Sequence, residues 1–289
     1  MNAAALLRAA AQRLRAAGVP DPRNDAAQLL ASVTGRPALS LRLDTDYEPT
    51  EEAAAAFEGL LLRRMDREPL QYILGTQPFL GRAFHVDGRV LIPRPETELL
   101  AEEAIRCLRA VSGAKRALDL CCGSGCLAVS MKLEVPEAEV TAADLSADAL
   151  AVTALNAETL GAGLTLCRGD LWEAVGEARY DVIVSNPPYI PREDCRTLQA
   201  EVLREPMMAL DGGTDGLDFY RRIAEGAPLH LLPGGTLLLE VGLGEARDVA
   251  ALLIAAGLTD CRVLRDWNDV ERMVTGKTSS ASHSFGTFP

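Results

Sequence analysis

Histidine is scarce in this chain, and several signatures of common nucleotide chemistry are missing. The 289 residues include only three histidines, His85, His230 and His283. His85 falls in a β-patterned stretch, His230 on a Leu-rich helix and His283 in a polar tail, so none makes a hydride-handling site and each reads as structural or solvated. No P-loop signature occurs. The seven cysteines are odd in number and include no Cys-x-x-Cys pair, which fits reduced thiols in a reducing compartment. Cys121, Cys122 and Cys126 cluster, but a metal site there would lack nearby histidine ligands. There is no apolar run of membrane-spanning length and no signal-peptide core at the N-terminus, so a cytoplasmic protein without a membrane partner is expected. Aromatics are only 4% of residues, whereas Ala and Leu abound, which points to a helix-rich α/β protein. Net charge is −12 and pI near 4.8, which argues against a large footprint on nucleic acid or anionic lipid. Almost all the acidic excess lies beyond residue 75.

Three regions follow from pattern. Residues 1–75 alternate helical periodicity with breakers. Helices are expected over 2–17, from Asp21-Pro22 to about Val33, over 38–43, and from Pro49-Thr50 to Arg67-Glu-Pro69. This bundle is either a structural cap or a docking module. Residues 76–93 change to period 2, and Phe79, Gly81, Phe84, Val86 and Val90-Leu-Ile92 read as a β-hairpin around an Asp87-Gly88 turn, joining two domains. Residues 94–289 form the second domain. It opens with Ile92-Pro-Arg-Pro-Glu-Thr-Glu98, whose prolines force an extended entry into a helix over 96–111 and whose acids suit its N-terminus, so the stretch reads equally as helix initiation or as the lining of a site. From Lys115 strands alternate with helices, the mark of a parallel sheet. Strands are expected near 116–120, 139–143, 164–168, 180–185, 236–241, 261–265 and 270–275, with helices near 125–134, 147–160, 218–232 and 245–256. The tail from Ser279 looks frayed.

Two motifs carry chemistry. Ala117-Leu-Asp-Leu-Cys121-Cys122-Gly123-Ser124-Gly125-Cys-Leu-Ala128 is a strand, a glycine turn and a helix start. Gly123-x-Gly125-x-x-Ala128 also satisfies the dinucleotide fingerprint, so by itself it does not choose a cofactor. The next strand ends in Asp144, whose carboxylate can accept both ribose hydroxyls. Together they indicate an adenosine-containing cofactor. With no hydride-handling site and no P-loop, S-adenosylmethionine fits best: amino-acid end at the glycine turn, ribose on Asp144, adenine near Gly169-Asp170-Leu171. The second motif is Asn186-Pro187-Pro188-Tyr189, directly after the apolar strand 180–185. Asn-Pro or Pro-Pro alone fits a capped turn, but all four residues at the carboxyl end of a buried strand point to a ligand site. The Asn186 carbonyl and the main-chain carbonyls beside the prolines make an acceptor-only nest suited to an NH2 group, and Tyr189 offers a face that can stack on a planar amide or base.

With these residues in view, the chain resembles the release-factor glutamine methyltransferases, the HemK-type protein-(glutamine-N5) methyltransferases. The resemblance runs through Tyr72-Ile-Leu-Gly75, Phe79-x-Gly-x-x-Phe84-x-Val86, Val90-Leu-Ile-Pro-Arg-Pro-Glu-Thr-Glu98, the glycine turn, Ser185-Asn-Pro-Pro-Tyr-Ile190 and Ala209-Leu-Asp-Gly-Gly-x-Asp-Gly-Leu217. It implies a Rossmann-like class I methyltransferase domain with a seven-stranded, mostly parallel sheet, behind a helical N-terminal domain that helps dock the substrate. It implies methylation of the glutamine amide in the Gly-Gly-Gln tripeptide of peptide chain release factors. The cofactor would lie at residues 121–125, Asp144, Leu171 and Asn186, and the substrate glutamine at Asn186, Pro187, Pro188 and Tyr189, with Asn186, Pro187 and Tyr189 catalytic. The family usually has Gly-Thr-Gly-Ser/Thr-Gly where this chain has Cys121 to Gly125, so Cys121 is strained if its position needs positive φ. Glu245 stands where the family favours Gln. Two other classes share parts of the pattern: amide methyltransferases of ribosomal proteins and amino-methyltransferases of DNA or rRNA, since an exocyclic amine fits the same nest. A non-catalytic scaffold that kept the fold is a fourth reading.

Overall fold

The structure, a computed structural model, describes residues 2–280 apart from Thr45. His283 and most of the expected frayed tail lie outside the described residues. The chain divides into two compact units: residues 1–76 with 198–204, and residues 77–197 with 205–289.

The first unit is a bundle of α1 (Ala3–Ala16), α2 (Pro22–Thr34), α3 (Ala38–Leu43), α4 (Glu51–Met65) and the short α5 (Leu70–Leu74). Its boundaries are local. Asn2, Asp21 and Thr50 cap α1, α2 and α4 by accepting first-turn N–H groups, and Gly35 closes α2 at φ 67°. Leu14, Leu29, Leu30, Leu41, Phe57 and Leu61 fill its core. One element was not visible in the sequence: residues 198–204, far along the chain, belong to this unit. Arg64, buried on α4, meets Asp25 Oδ2 at 2.7 Å and Glu201 Oε1 at 2.8 Å, and Arg67 holds the same Glu201. Burial alone would raise the Glu201 carboxyl, but hydrogen bonds from Arg67 and Arg64 outweigh it and pull the value down to about 2. Asp25 goes the other way, pushed up by burial that Arg64 only partly offsets.

In the second unit β1 (Thr76–Phe79) and β2 (Arg82–His85) form the hairpin. Its turn is Leu80-Gly81, not Asp87-Gly88 as the sequence indicates. Leu80 and Gly81 both have positive φ, 46° and 72°, the two-residue turn that follows strand twist. The Glu98 carboxylate holds Leu80 N–H at 2.8 Å. The Asp87 carboxylate is instead spent on the Arg89 N–H and guanidinium and on His85, so residues 86–92 form no strand.

After α6 (Pro95–Ala110), the strands β3 (Arg116–Leu120), β4 (Glu139–Asp144), β5 (Thr165–Arg168), β6 (Tyr180–Ser185), β7 (Leu231–Glu240), β8 (Thr259–Arg265) and β9 (Glu271–Lys277) make one sheet. Its order is β5-β4-β3-β6-β7-β9-β8, parallel except for β9. The Gly276-Lys277-Thr278 tripeptide lies on β9 and its end, not between a strand and a helix as a phosphate loop would require. The helices α7 (Cys126–Glu134), α8 (Ala147–Leu160), α9 (Asp218–His230) and α10 (Ala246–Ala255) complete the layers. Alternation along β6 separates two cores: Val182 and Val184 pack with α6, α7 and the hairpin, while Ile183 packs with α9 and α10. The order reverses between β3 and β6, which opens a crevice beyond their carboxyl ends. Among the described residues no helix is long and apolar enough to cross a membrane.

Glu201→Gln should lower stability by roughly 2–3 kcal/mol at pH 7, below the usual cost of breaking a buried pair because Arg64 keeps Asp25. The Glu201 value is depressed in the fold, so its contribution is present above the ordinary 4.5 and is lost as pH falls toward about 2. Denaturant unfolding of wild type and variant should therefore differ at pH 7, and the difference should shrink below the ordinary 4.5 and vanish only as pH approaches about 2.

Candidate active site

The register of the sheet aligns the site. Leu120 of β3 pairs with Ala143 of β4 and with Ser185 of β6, so the next residues on the three strands, Cys121, Asp144 and Asn186, stand side by side at the carboxyl edge. They line a cavity of about 640 Å³, within the usual range for small-ligand pockets.

The turn after β3 is tightly held. Cys122 N–H reaches Ala143 O at 3.0 Å, and Gly123 N–H donates to Asp144 Oδ2 at 2.9 Å. Thr153 Oγ1 donates to Gly123 O at 2.9 Å. A Cβ on Gly125, which has φ 77°, would lie 2.6 Å from Thr153 Cγ2. Asn156 Nδ2 bonds to both Ser124 O and His85 O, and its Oδ1 accepts His85 N–H, tying the hairpin to the glycine turn. Beneath the turn, Asp119 is fully buried and accepts Ala128 N–H at 3.0 Å. Burial, with Asp144 nearby, pushes its carboxyl up to about 7 against the pull of that N–H. Cys121 adopts φ 64°, a conformation that costs a non-glycine residue about 1–2 kcal/mol. Burial pushes the Cys121, Cys122 and Cys126 thiols up, so they are neutral at physiological pH. Among the described residues no group of three or more His, Cys, Asp or Glu is arranged to hold a metal.

On the far side of the cavity Asn186 Nδ2 donates to Thr97 Oγ1 at 3.4 Å, which leaves Oδ1 as the amide's free acceptor. The turn that carries Asn186 is wrapped by a second loop. Ile190 N–H bonds to Leu210 O and Gly212 N–H to Ile190 O. Side chains at Gly212 or Gly216 would come within 2.6 Å of the Tyr189 backbone. Glu205 anchors the start of this loop, accepting Ile92 N–H at 3.0 Å and an Arg94 guanidinium N–H at 2.6 Å.

Of the residues singled out from sequence, Cys121, Cys122, Gly123, Ser124, Asp144, Leu171, Asn186 and Pro188 line the one cavity. Gly125, Pro187 and Tyr189 are not in its wall. Gly125 lies behind the turn, Pro187 is buried, and the Tyr189 ring is beside Gly242, where burial raises its hydroxyl. His230 stacks on Trp172 at 4.4 Å and bonds to Ala178 O, a structural role. Sequence reading passed over Asn156, Glu205 and Glu240, and took Thr97 only within the Ile92–Glu98 stretch, whose site-lining reading fits the presence of Pro93 and Thr97 in the cavity wall. Their signal was modest: Asn156 is a lone amide on an Ala/Leu helix, and Glu240 follows three leucines on a central strand.

The residues present suit S-adenosylmethionine. Each Asp144 oxygen accepts one backbone N–H, from Gly123 and Ser146, which leaves outward lone pairs for two ribose hydroxyls. Burial raises its carboxyl against the pull of those N–H groups. Leu145, Ala149 and Leu171 give an apolar wall for a flat base.

A doubly wound sheet with a glycine turn, an acid ending the second strand and Asn-Pro-Pro-Tyr at the switch point defines a Rossmann-like methyltransferase. The model of the PrmC N-terminal domain matches residues 5–75, and that of the methyltransferase small domain matches residues 97–215. The release factor glutamine methyltransferase of Geobacter sulfurreducens is 46% identical over 90% of this chain and 91% of its own length. That of Cereibacter sphaeroides is 45% identical over 97% of this chain and 100% of its own. Among solved structures, a methyltransferase from Pyrococcus furiosus aligns with a TM-score of 0.53 at 19% identity, covering 69% of this chain and 90% of that one, a likeness of fold. The chain belongs to the release factor glutamine methyltransferase family.

Gly125→Ala should weaken S-adenosylmethionine binding at least about tenfold, because the turn must shift off Thr153. Cys121→Gly should keep affinity within about threefold and raise stability by roughly 0.5–1 kcal/mol, the relieved strain being partly offset by chain entropy. Calorimetric titration and thermal melts of both variants check this.

Proposed function

We propose that the protein methylates the side-chain amide nitrogen of the glutamine in the Gly-Gly-Gln tripeptide of peptide chain release factors, using S-adenosylmethionine, in the cytoplasm. The observation that carries this reading is that one cavity joins the glycine turn and Asp144 to an Asn186 amide whose nitrogen is already engaged by Thr97. In this reading the amide oxygen is the acceptor left for an entering NH2 group. Charge supports a protein substrate over nucleic acid, since the net charge is −12.

An amide nitrogen is a poor nucleophile because its lone pair is shared with the carbonyl. In this proposal Asn186 Oδ1 and the Pro187 main-chain carbonyl, which is bonded to the nitrogen of the cavity-lining Pro188 although the Pro187 ring is buried, each accept one of its hydrogens, which pushes density back onto nitrogen and sets its angle. Bound S-adenosylmethionine supplies an electrophilic methyl group on a sulfonium. The chain's own residues supply alignment, which can contribute several kcal/mol. Pro188 lines the path, and Tyr189, half-buried behind the turn, backs it and limits water. The nitrogen becomes acidic on alkylation, so no strong base is needed beside it. The helical unit of residues 1–75 serves in this reading to dock the release factor.

Asn186→Ala should lower kcat at least about a hundredfold, the scale of removing a charge-stabilising hydrogen-bond partner, while cofactor affinity stays within several-fold. Methyl transfer to purified release factor, with a variant release factor carrying Ala for that glutamine as control, measures it. Full turnover by Asn186→Ala would refute the assignment.

A further inference from the structure

Asn186 can accept a hydrogen bond only if its amide is held oxygen-outward, and its two ends differ little in shape. Something must set the polarity. On β6 and β7 the register pairs Ser185 with Leu239, so Asn186 and Glu240 are neighbours one residue further along. Glu240 is 4% exposed, and its Oε2 has no hydrogen-bond partner among the described residues. A buried carboxyl left half-satisfied is costly for stability and is found where function retains it. Thr97, 2% exposed in the first turn of α6, stands between the two. Its hydroxyl accepts Asn186 Nδ2 at 3.4 Å, and it lies close enough to the Glu240 carboxyl to favour the ionised form as a donor.

A hydroxyl has one hydrogen to give. Ionised Glu240 can only accept, so the Thr97 hydrogen points to Glu240, and Thr97 offers Asn186 lone pairs alone. Asn186 must then turn its NH2 to Thr97 and its oxygen to the cavity. Protonated Glu240 can donate to Thr97, which frees the Thr97 hydrogen for Asn186 Oδ1. The amide then flips, and its NH2 meets the substrate's NH2, donor against donor. We propose that Glu240, acting through Thr97, is the positioning residue that keeps the Asn186 oxygen facing the substrate amide. This rests on the role given to Asn186 under Proposed function.

Glu240 is faced by charged and titratable groups from each side: Glu96 and Arg94 at the start of α6, Arg272 on β9, Tyr189 on the turn, and Cys126 on α7. Tyr220 on α9 donates to the Glu240 main-chain carbonyl at 2.9 Å. Burial raises the carboxyl most and Glu96 adds to it, while Thr97, Arg272 and Arg94 pull it back, leaving it at about 7. The active polarity is the ionised one, so turnover should climb as pH rises through that value.

The test uses full-length protein, S-adenosylmethionine and purified release factor, with kcat measured from pH 5.5 to 9 and cofactor affinity by titration calorimetry. Thr97→Val should lower kcat about tenfold or more, with cofactor Kd within about threefold, and Thr97→Ser should restore it to within about threefold. Glu240→Gln should lose the acid limb of the pH profile that the wild type has near pH 7. The Thr97 pair decides the matter if Glu240→Gln fails to fold. Thr97→Val with wild-type kcat, or an acid limb unchanged in Glu240→Gln, overturns the relay while leaving the proposed function standing. A wild type inert toward release factor at every pH overturns both.

Discussion

The parallel pairing of β3 with β6 is the constraint from which the site follows. These strands are far apart in sequence, and each carries only local information about where it stops: a glycine turn after one, two prolines after the other. Their register aligns Leu120 with Ser185, so the cofactor-side turn and the substrate-side turn begin at one level. Neither has to reach for the other. The apolar runs that set this register are buried on both faces, which makes a slip by one residue prohibitive.

Around that edge the polar residues of three sequence blocks act as braces. In the stretch from Ile92 to Glu98, Arg94 holds Glu205, Thr97 holds Asn186 and Glu98 holds the hairpin turn at Leu80. Asn156 spans from the hairpin to the glycine turn. The block from Ala209 to Leu217 needs its glycines because Gly212 and Gly216 pass against the backbone of Tyr189. Each block fixes the position of a turn that lies elsewhere in the chain. A site with two loops at a sheet edge is thereby held as firmly as one built on helices.

Much of this was legible in the sequence wherever the cause is local. Strands β3 and β6, helix α8 and α3 fall where periodicity and breakers put them, and the glycine turn with Asp144 announces itself because both belong to one βαβ unit. The hairpin turn was misplaced because Asp87-Gly88 is the stronger signal, whereas Leu80 in a left-handed conformation has none and is kept there by a carboxylate 18 residues away. Glu205 and Glu240 were missed, and Thr97 was not singled out within its stretch, for a related reason. A threonine in a helix's first turn or a glutamate ending a strand looks ordinary until the fold supplies its partner. Tyr189 illustrates the converse: its type suggests a stacking face, but its ring lies behind the turn.

The detour of residues 198–204 into the helical unit has a consequence for how the protein is made. Arg64 and Asp25 emerge from the ribosome early and can pair at once, but Glu201 follows Arg64 by 137 residues. The N-terminal bundle must therefore wait, with Arg64 paired to Asp25 alone and Arg67 without its carboxylate, until most of the sheet has been synthesised. Vectorial synthesis makes the first-born domain among the last to be completed, and its final contact is a report that the chain beyond Asn186 has arrived.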